Sequence, residues 1–142
     1  MFKKIGVVGC GVIGSAWIIR LLAHNKKVIA FDNNKKIEKK IIKEIKVTWP
    51  SVKKLFNKKK LNIKNFKFVT SLSECVKDVD LIQECVPENY NLKIKLMKNI
   101  GKYAKPNAII SSSSSGLLPS RIYSKCKNKY RTLVAHPFNP VY

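Results

Sequence analysis

Short apolar runs alternate with longer segments of helical periodicity along the whole chain. Residues 4–9 (KIGVVG) are typical of a strand buried in a parallel sheet, and apolar residues at helical spacing follow at Ile13, Trp17 and Leu21. Further strands are predicted at 27–31, 66–69, 80–85, 108–111 and 132–135, with helical segments near 34–57, 71–77, 89–103 and 119–126. This alternation predicts an α/β fold, a Rossmann-type doubly wound parallel sheet with helices on both faces.

Two helix ends can be predicted from single residues. Asn25 follows the first helical segment and is predicted to be its C-cap. Pro50 stands inside the second segment, whose apolar face includes Ile41 and Ile45. Because proline lacks the amide N–H and its ring collides with the preceding turn, Pro50 is predicted to end or kink this helix. A further helical piece is predicted over residues 51–56.

The length of 142 residues suits one domain covering 1–142. A hydrophobic fraction of 45% and a mean hydropathy of -0.14 argue against both a membrane protein and a disordered chain. The longest apolar stretch is interrupted by Arg20 and His24 before it reaches the roughly 18 residues that a bilayer span needs. The apolar N-terminus carries glycines spaced for a loop, not the pattern of a signal peptide. A cytoplasmic protein without membrane contact is therefore expected.

The formal net charge of +21 raises the question of a nucleic-acid partner. The lysines are spread along the whole chain and mixed with isoleucine and asparagine, as in residues 35–46 (KKIEKKIIKEIK). Such a bias can arise from nucleotide composition alone, and solvated helix faces account for it. No dedicated nucleic-acid partner is expected.

The four cysteines, at positions 10, 75, 85 and 126, lack the close spacing of zinc or redox sites. They are expected to be small buried side chains, and no metal site is predicted.

The clearest chemical signal is a glycine loop between the first strand and the first helix. Residues 9–14 match G-x-G-x-x-G, with Gly9, Gly11 and Gly14 enclosing Cys10 and then Val12 and Ile13. Gly9 permits the tight turn, Gly11 lets the backbone approach a pyrophosphate, and Gly14 lets the helix pack closely on the strand. The free N–H groups and positive dipole of the helix would stabilise the phosphate charge.

Asp32 stands at the end of the second strand, where an acid can accept hydrogen bonds from an adenosine ribose. A carboxylate there repels a 2′-phosphate, so NAD is predicted in preference to NADP. Lys35 and Lys36, directly behind it, act against that preference. The loop, the two strands and Asp32 together predict a dinucleotide site, and the alternative is a structural turn.

A resemblance to a known family is carried by four segments, which are 8–17 (VGCGVIGSAW), 83–93 (QECVPENYNLK), 111–120 (SSSSSGLLPS) and 135–142 (AHPFNPVY). Together they resemble the NAD-binding domain of the 3-hydroxyacyl-CoA dehydrogenase superfamily. Within it, the serine run, the HPFNPVY ending and the Trp49-Pro50 pair are most similar to the L-carnitine 3-dehydrogenase branch. Sugar-acid dehydrogenases of the lambda-crystallin type are a close second.

The resemblance implies that hydride passes to NAD from the 3-hydroxyl of L-carnitine or a similar small 3-hydroxy acid. His136 would take the hydroxyl proton, and histidine is the side chain that most often acts as a general base. Ser115, or its neighbour Ser113 or Ser114, matches the serine that hydrogen-bonds the substrate hydroxyl. Asn139 matches an asparagine beside the active site. A 3-hydroxyacyl-CoA remains an alternative substrate.

The resemblance also assigns Glu88 and Lys93 to the nicotinamide end of the cofactor. Family members carry, beyond HPFNPVY, a glutamate that pairs with the histidine and a helical C-terminal domain that supplies much of the substrate pocket and the dimer contact. The chain stops at Tyr142. Catalysis by these residues alone is therefore expected to be greatly weakened, and a homodimer is expected only with that domain. A binding module that holds NAD or nucleic acid without turnover is the competing hypothesis.

Overall fold

The computed structural model describes residues 2–58 and 60–141, which form a single parallel sheet flanked by helices. The elements in chain order are β1 (Lys4–Val8), α1 (Val12–Ala23), β2 (Lys27–Phe31), α2 (Ile37–Leu55), β3 (Phe66–Val69), α3 (Leu72–Val76), β4 (Leu81–Glu84), α4 (Tyr90–Tyr103), β5 (Ile109–Ser112), α5 (Pro119–Ile122) and β6 (Thr132–Val134). Two short 3-10 turns, Ile63–Asn65 and Lys129–Arg131, precede β3 and β6. The predicted α/β class and order of elements are confirmed.

The sheet order β3-β2-β1-β4-β5-β6 places the reversal of strand order between β1 and β4. Among the described residues, each pair of neighbouring strands is parallel. Because the chain leaves β1 in one direction and β4 in the other, a crevice opens at the carboxyl ends of these two strands. The glycine loop after β1 and the segment after β4 both lie at this crevice.

The core consists of two apolar clusters, one on each face of the sheet. Ile5 and Val7 of β1 belong to the cluster that packs against α1 and α2, whereas Val8 belongs to the cluster formed with α3, α4 and α5. This division follows from the alternation of side chains along a strand that is covered on both faces.

The prediction of Asn25 as the C-cap of α1 is wrong by one residue, because the cap is His24 and Asn25 follows it. Asn25 has a φ of 56°, in the left-handed region that asparagine tolerates better than most residues. Its N–H donates to the carbonyl of Leu22, and the N–H of Lys26 donates to the carbonyl of Leu21, which is the Schellman arrangement. The cap residue His24 is exposed, and its ring meets the ring of Phe56 edge-on, with the two ring centroids 5.0 Å apart.

Helix α2 does not end at Pro50 but continues to Leu55. The residues predicted as a separate helical piece are its continuation. A proline inside a helix costs about 3 kcal/mol through the lost hydrogen bond and the clash of its ring. Ile45 and Val52, on either side of the proline, are both 0% exposed. Packing of the two flanking turns in the core offsets the free energy lost at the proline. The rule that proline ends a helix considers the helix alone and therefore misses this packing.

All four cysteines are free thiols. Cys10, Cys75 and Cys126 are buried, as predicted, and Cys85 is partly exposed. Burial raises the pKa of Cys75 and of Cys85 to about 12, so both remain protonated thiols at neutral pH. Within residues 2–58 and 60–141, no helix is long and apolar enough to cross a membrane.

Asp80 joins three groups at the amino end of the sheet. Its carboxylate accepts the N–H groups of Lys3 and Lys4 at 2.8 and 3.0 Å and pairs with Lys105 Nζ at 2.9 Å. The hydrogen bond from Lys105 and those from the two backbone N–H groups hold the pKa of Asp80 well below its usual range.

We expect Asp80→Asn to lower the free energy of unfolding at neutral pH by about 1 to 2 kcal/mol, because charge-assisted hydrogen bonds are lost at a partly exposed site. The folded pKa is depressed, so this contribution is complete above the unfolded pKa of about 3.9 and is lost as the pH falls through the folded pKa. Urea titrations from neutral pH down to about pH 2 should show the difference between wild type and variant shrinking. A difference independent of pH would contradict this origin.

Candidate functional site

The glycine loop packs its backbone directly on the segment that follows β4. Gly9 has a φ of +88°, and a Cβ at this position would lie 2.8 Å from Cys85 C and from Val86 N. Any other residue would therefore be strained by its conformation and would collide with backbone. The turn out of β1 and the start of the β4 to α4 loop are held together by this contact.

Gly14 brings α1 against the same turn. A Cβ on Gly14 would lie 1.9 Å from Gly9 O, so the helix can approach β1 only with glycine here. A Cβ on Gly11 would meet nothing within 4 Å, which leaves open space above the first turn of α1. No side chain of the described residues caps this turn, and Val12 is 63% exposed. The N-terminal N–H groups of α1, those of Val12 and Ile13 included, are thus arranged for an anion.

Asp32 ties the glycine loop to the turn after β2. Its Oδ2 accepts the N–H of Cys10 and its Oδ1 accepts the N–H of Asn34, both at 2.8 Å. The carboxylate therefore stands at a fixed place beside the loop, as its position at the end of β2 predicted. Both oxygens retain a lone pair that can accept from a ribose hydroxyl.

A cavity of about 720 Å³ opens between these elements and α4. Its polar wall includes Gly9, Gly11 and Asp32. The opposing apolar wall is formed by side chains from four parts of the chain, namely Phe31, Ile37, Leu72, Leu92 and Leu96. A volume of this size, apolar with a few placed polar groups, is typical of a cofactor site. The described residues therefore fit the adenosine half of a dinucleotide, with its phosphates at α1.

The serine segment, residues 113–115 after β5, has serines with different hydrogen-bond partners. Ser113 Oγ accepts from Gln83 Nε2 at 2.7 Å and lies 3.2 Å from Cys85 Sγ. Ser114 Oγ donates to Glu88 and the residue is buried. Ser115 is exposed, and its N–H donates to Glu88 Oε1 at 2.9 Å. The hydroxyls of Ser113 and Ser114 are thus engaged within the protein, which favours Ser115 among the three predicted alternatives.

Glu88 is the acceptor that shapes this segment. In addition to Ser114 and Ser115 it accepts the N–H of Gly116 at 3.2 Å, and Lys93 Nζ lies 3.4 Å from its Oε2. Burial raises the pKa of Glu88, but the hydrogen bonds from Ser114, Gly116 and Ser115 and the charge of Lys93 together lower it to about 2. Glu88 is therefore a carboxylate throughout the neutral range.

Lys93 is buried beneath Glu88 rather than exposed beside it. It lies in the buried stripe of α4 with Met97 and Ile100, at helical spacing, and its side chain is 1% exposed. Its Nζ pairs with Glu84 Oε1 at 2.6 Å. The assignment of Glu88 and Lys93 to the nicotinamide end remains a prediction.

His136 stands next to the serine segment. Its Nδ1 lies 3.0 Å from the carbonyl oxygen of Ser113. Because a carbonyl oxygen can only accept a hydrogen bond, this contact selects the neutral tautomer with its proton on Nδ1. Nε2 is then left as the basic nitrogen, on an exposed side chain. Asn139 is also exposed, and within the described part of the chain no hydrogen bond joins it to His136 or the serines.

Sequence reasoning did not identify Glu84, which is 0% exposed at the end of β4. Two signals could have found it. Gln83 and Glu84 are polar residues in a run otherwise typical of a buried strand, and Lys93 occupies a core position of the next helix. A charged residue of each sign at two buried positions indicates an internal ion pair.

An uncapped helix start, an acid after β2 and a histidine beside the serine segment are the arrangement expected of a dinucleotide-dependent dehydrogenase. The family model described as "3-hydroxyacyl-CoA dehydrogenase, NAD binding domain" matches residues 4–142. The chain belongs to this family. It is an NAD-binding domain, and the NAD prediction is confirmed.

The curated relatives of this NAD-binding domain include L-carnitine dehydrogenases. That of Staphylococcus epidermidis is 44% identical over 139 residues, covering 98% of this chain and 43% of the relative. That of Oceanobacillus iheyensis is 44% identical over 140 residues, covering 99% of this chain and 46% of the relative. The chain thus spans less than half the length of either relative, and the sequence-based resemblance to this branch is confirmed.

Solved structures share the fold at lower identity. The (S)-3-hydroxybutyryl-CoA dehydrogenase of Ralstonia eutropha superposes with a TM-score of 0.89 at 24% identity, covering 99% of this chain and 51% of that one. The 3-hydroxybutyryl-CoA dehydrogenase of Escherichia coli gives a TM-score of 0.88 at 20% identity, covering 99% and 30%. These likenesses show that this chain has the same Rossmann-type fold.

Proposed function

We propose that this domain serves an enzyme that oxidises the 3-hydroxyl group of L-carnitine, or of a similar small 3-hydroxy acid, to a ketone. The observation that carries the proposal is the 44% identity with an L-carnitine dehydrogenase over 98% of the chain. The exposed Ser115 and the basic nitrogen of His136 at the carboxyl edge of the sheet support it. The four free cysteines support a reducing compartment, the cytoplasm.

The cofactor would lie across the crevice with its pyrophosphate over Gly11 and the first turn of α1. Asp32 would receive the adenosine ribose, whose hydroxyls can donate to its carboxylate oxygens. Glu88, in the β4 to α4 loop, and Lys93, in α4, would lie toward the nicotinamide end. NAD, when bound, accepts the hydride from the substrate carbon.

The protein's own contribution to the reaction is to hold the substrate hydroxyl and to take its proton. The hydrogen bond from His136 Nδ1 to Ser113 O orients the ring and keeps the lone pair on Nε2. Nε2 would accept the proton of the 3-hydroxyl. The hydroxyl of Ser115, two residues from the carbonyl that orients the histidine, would hydrogen-bond the same oxygen. Asn139 would lie beside them.

Two measurements test the proposal. The purified chain should bind NAD in calorimetric titrations. A chimera carrying residues 1–142 in place of the matched region of the Staphylococcus epidermidis L-carnitine dehydrogenase should form NADH with L-carnitine, which requires that Ser115 and His136 complete that enzyme's site. A folded chimera that binds NAD but does not oxidise L-carnitine would overturn the substrate class, and a chain without affinity for NAD would overturn the cofactor assignment.

We expect Asp32→Ala to weaken NAD binding by about tenfold to a hundredfold, the loss of one or two hydrogen bonds to a charged acceptor, and to reduce the preference for NAD over NADP. Removing the carboxylate removes its repulsion of a 2′-phosphate. Titration with both cofactors measures the change. Asp78→Ala is the matched control, because the side chain of Asp78 is 72% exposed and bonds Lys4, away from the cavity. Unchanged affinities in Asp32→Ala would show that the acid does not reach the ribose.

A further inference from the structure

Glu84 and Lys93 form an ion pair that is almost completely removed from solvent. Their side chains are 0% and 1% exposed, and Lys93 Nζ lies 2.6 Å from Glu84 Oε1. The same Nζ lies 3.2 Å from the carbonyl oxygen of Val86 and 3.4 Å from Glu88 Oε2. The ammonium group donates hydrogen bonds to Glu84 and to the carbonyl of Val86, and it contacts Glu88 as an ion pair.

Glu84 also connects two loops at the carboxyl edge of the sheet. Its Oε1 accepts the N–H of Val86 at 2.7 Å, and its Oε2 accepts the hydroxyl of Ser112 at 2.5 Å. Ser112 Oγ in turn accepts the N–H of Ser114 at 3.1 Å. One buried carboxylate therefore holds the start of the β4 to α4 loop and the start of the serine segment.

An internal ion pair stabilises a core poorly. The free energy needed to remove two charges from water offsets most of their attraction, so two apolar side chains of the same volume often give equal or greater stability. The partners of this pair are Val86 and Glu88 in the β4 to α4 loop and Ser112 at the end of β5, all at the site. Its effect is therefore concentrated where the proposed nicotinamide end and substrate hydroxyl would lie.

We infer that Glu84 is a positioning residue for the nicotinamide end of the site. It fixes Lys93, Lys93 fixes Glu88, and Glu88 holds the N–H groups of Ser115 and Gly116 in place. Glu84 itself, being 0% exposed, touches neither cofactor nor substrate. The inference rests on the proposed function only in placing the nicotinamide beside Glu88.

Two variants keep Lys93 and alter only its partner. Glu84→Gln removes the charge at nearly the same shape, and Glu84→Asp keeps the charge but withdraws it by one methylene. The readout is the ratio of the Kd values for ADP-ribose and NAD, measured by calorimetry on the purified chain. ADP-ribose lacks the nicotinamide, so it reports the glycine loop and Asp32 alone. Wild type is expected to bind NAD more tightly than ADP-ribose.

In both variants we expect the ratio to fall by about fivefold or more, with the Kd for ADP-ribose changed by less than about twofold. Glu84→Asp keeps the test decisive if Glu84→Gln does not fold. Amide hydrogen exchange at Ser115 and Gly116 should quicken in the same variants, because Glu88 is no longer held.

Asp80→Asn is the matched control. Asp80 precedes β4 as Glu84 ends it, and it also pairs with a lysine, Lys105. This control should lose stability while keeping both the ratio and the exchange rates of Ser115 and Gly116.

Equal weakening of both ligands by the Glu84 variants, or no change in either, would overturn the positioning role. A wild-type chain with equal affinity for NAD and ADP-ribose would also overturn it. Failure of the chimera to oxidise L-carnitine would count against the proposed substrate and would leave this ratio as a separate result.

Discussion

Replacing Gly14 with alanine is expected to abolish measurable NAD binding and to lower the free energy of unfolding by about 3 kcal/mol or more. The new Cβ would lie 1.9 Å from Gly9 O, so either α1 or the loop must move. Overpacking against backbone typically costs about 1 to 3 kcal/mol, and this contact is closer than side-chain rearrangement can relieve. Gly9 in turn packs on Cys85 and Val86, so the displacement reaches the opposite side of the crevice.

Gly11→Ala is the matched variant, because the same methyl group there meets nothing within 4 Å. We expect its free energy of unfolding to change by less than about 1 kcal/mol, the usual scale for a residue at a helix N-cap. NAD affinity should still fall by about tenfold to a hundredfold, since the methyl keeps the pyrophosphate from charge-assisted hydrogen bonds at α1.

Urea unfolding and NAD titration of the two alanine variants separate the roles of the glycines. Gly14→Ala should lose both stability and NAD affinity, whereas Gly11→Ala should lose only NAD affinity. Full NAD affinity in Gly11→Ala would mean that the pyrophosphate does not approach this backbone, and wild-type stability in Gly14→Ala would contradict the close packing of α1.

His136→Gln in the carnitine dehydrogenase chimera is expected to reduce kcat by about a thousandfold while leaving the Kd for NAD unchanged. General base catalysis contributes about a hundredfold to ten-thousandfold, and glutamine cannot take a proton at neutral pH. His136 is exposed and bonded to Ser113 O, and it is not among the residues that line the nucleotide cavity. The effect should therefore be confined to the chemical step.

His24→Gln provides the matched control, since it makes the same exchange at the other histidine. His24 caps α1 and contacts Phe56, away from the serine segment. Its kcat should stay within about twofold of the unaltered chimera. A His136→Gln chimera that keeps its kcat, or that loses NAD affinity in parallel with kcat, would remove His136 from the role of base.

Local sequence determined the dinucleotide site because its parts are close together in the chain. The glycine loop, the helix it opens and the acid after the next strand lie within residues 4–32, so their spacing alone fixes the turn, the helix N-terminus and the position of Asp32. The alternation of apolar runs with helical segments determined the parallel sheet in the same way. The family resemblance, which four sequence motifs carry, also followed from the sequence alone.

Tertiary structure decided the features that depend on partners distant in sequence. Pro50 remains inside α2 because packing around Ile45 and Val52 outweighs a local preference. The serines of one repetitive run are distinguished by Gln83 and Glu88, about 26 to 30 positions away. The basic nitrogen of His136 is selected by the carbonyl of Ser113.

The proposed nicotinamide side of the site shows the same division most clearly. Glu88 and Lys93 could be named from the sequence by resemblance, but their roles could not be separated. Only the fold shows that Glu88 faces the serine segment while Lys93 is buried on Glu84. Strand β4 and helix α4 must both be in place before the two charges meet, because burial and pairing are properties of the packed sheet rather than of residue type.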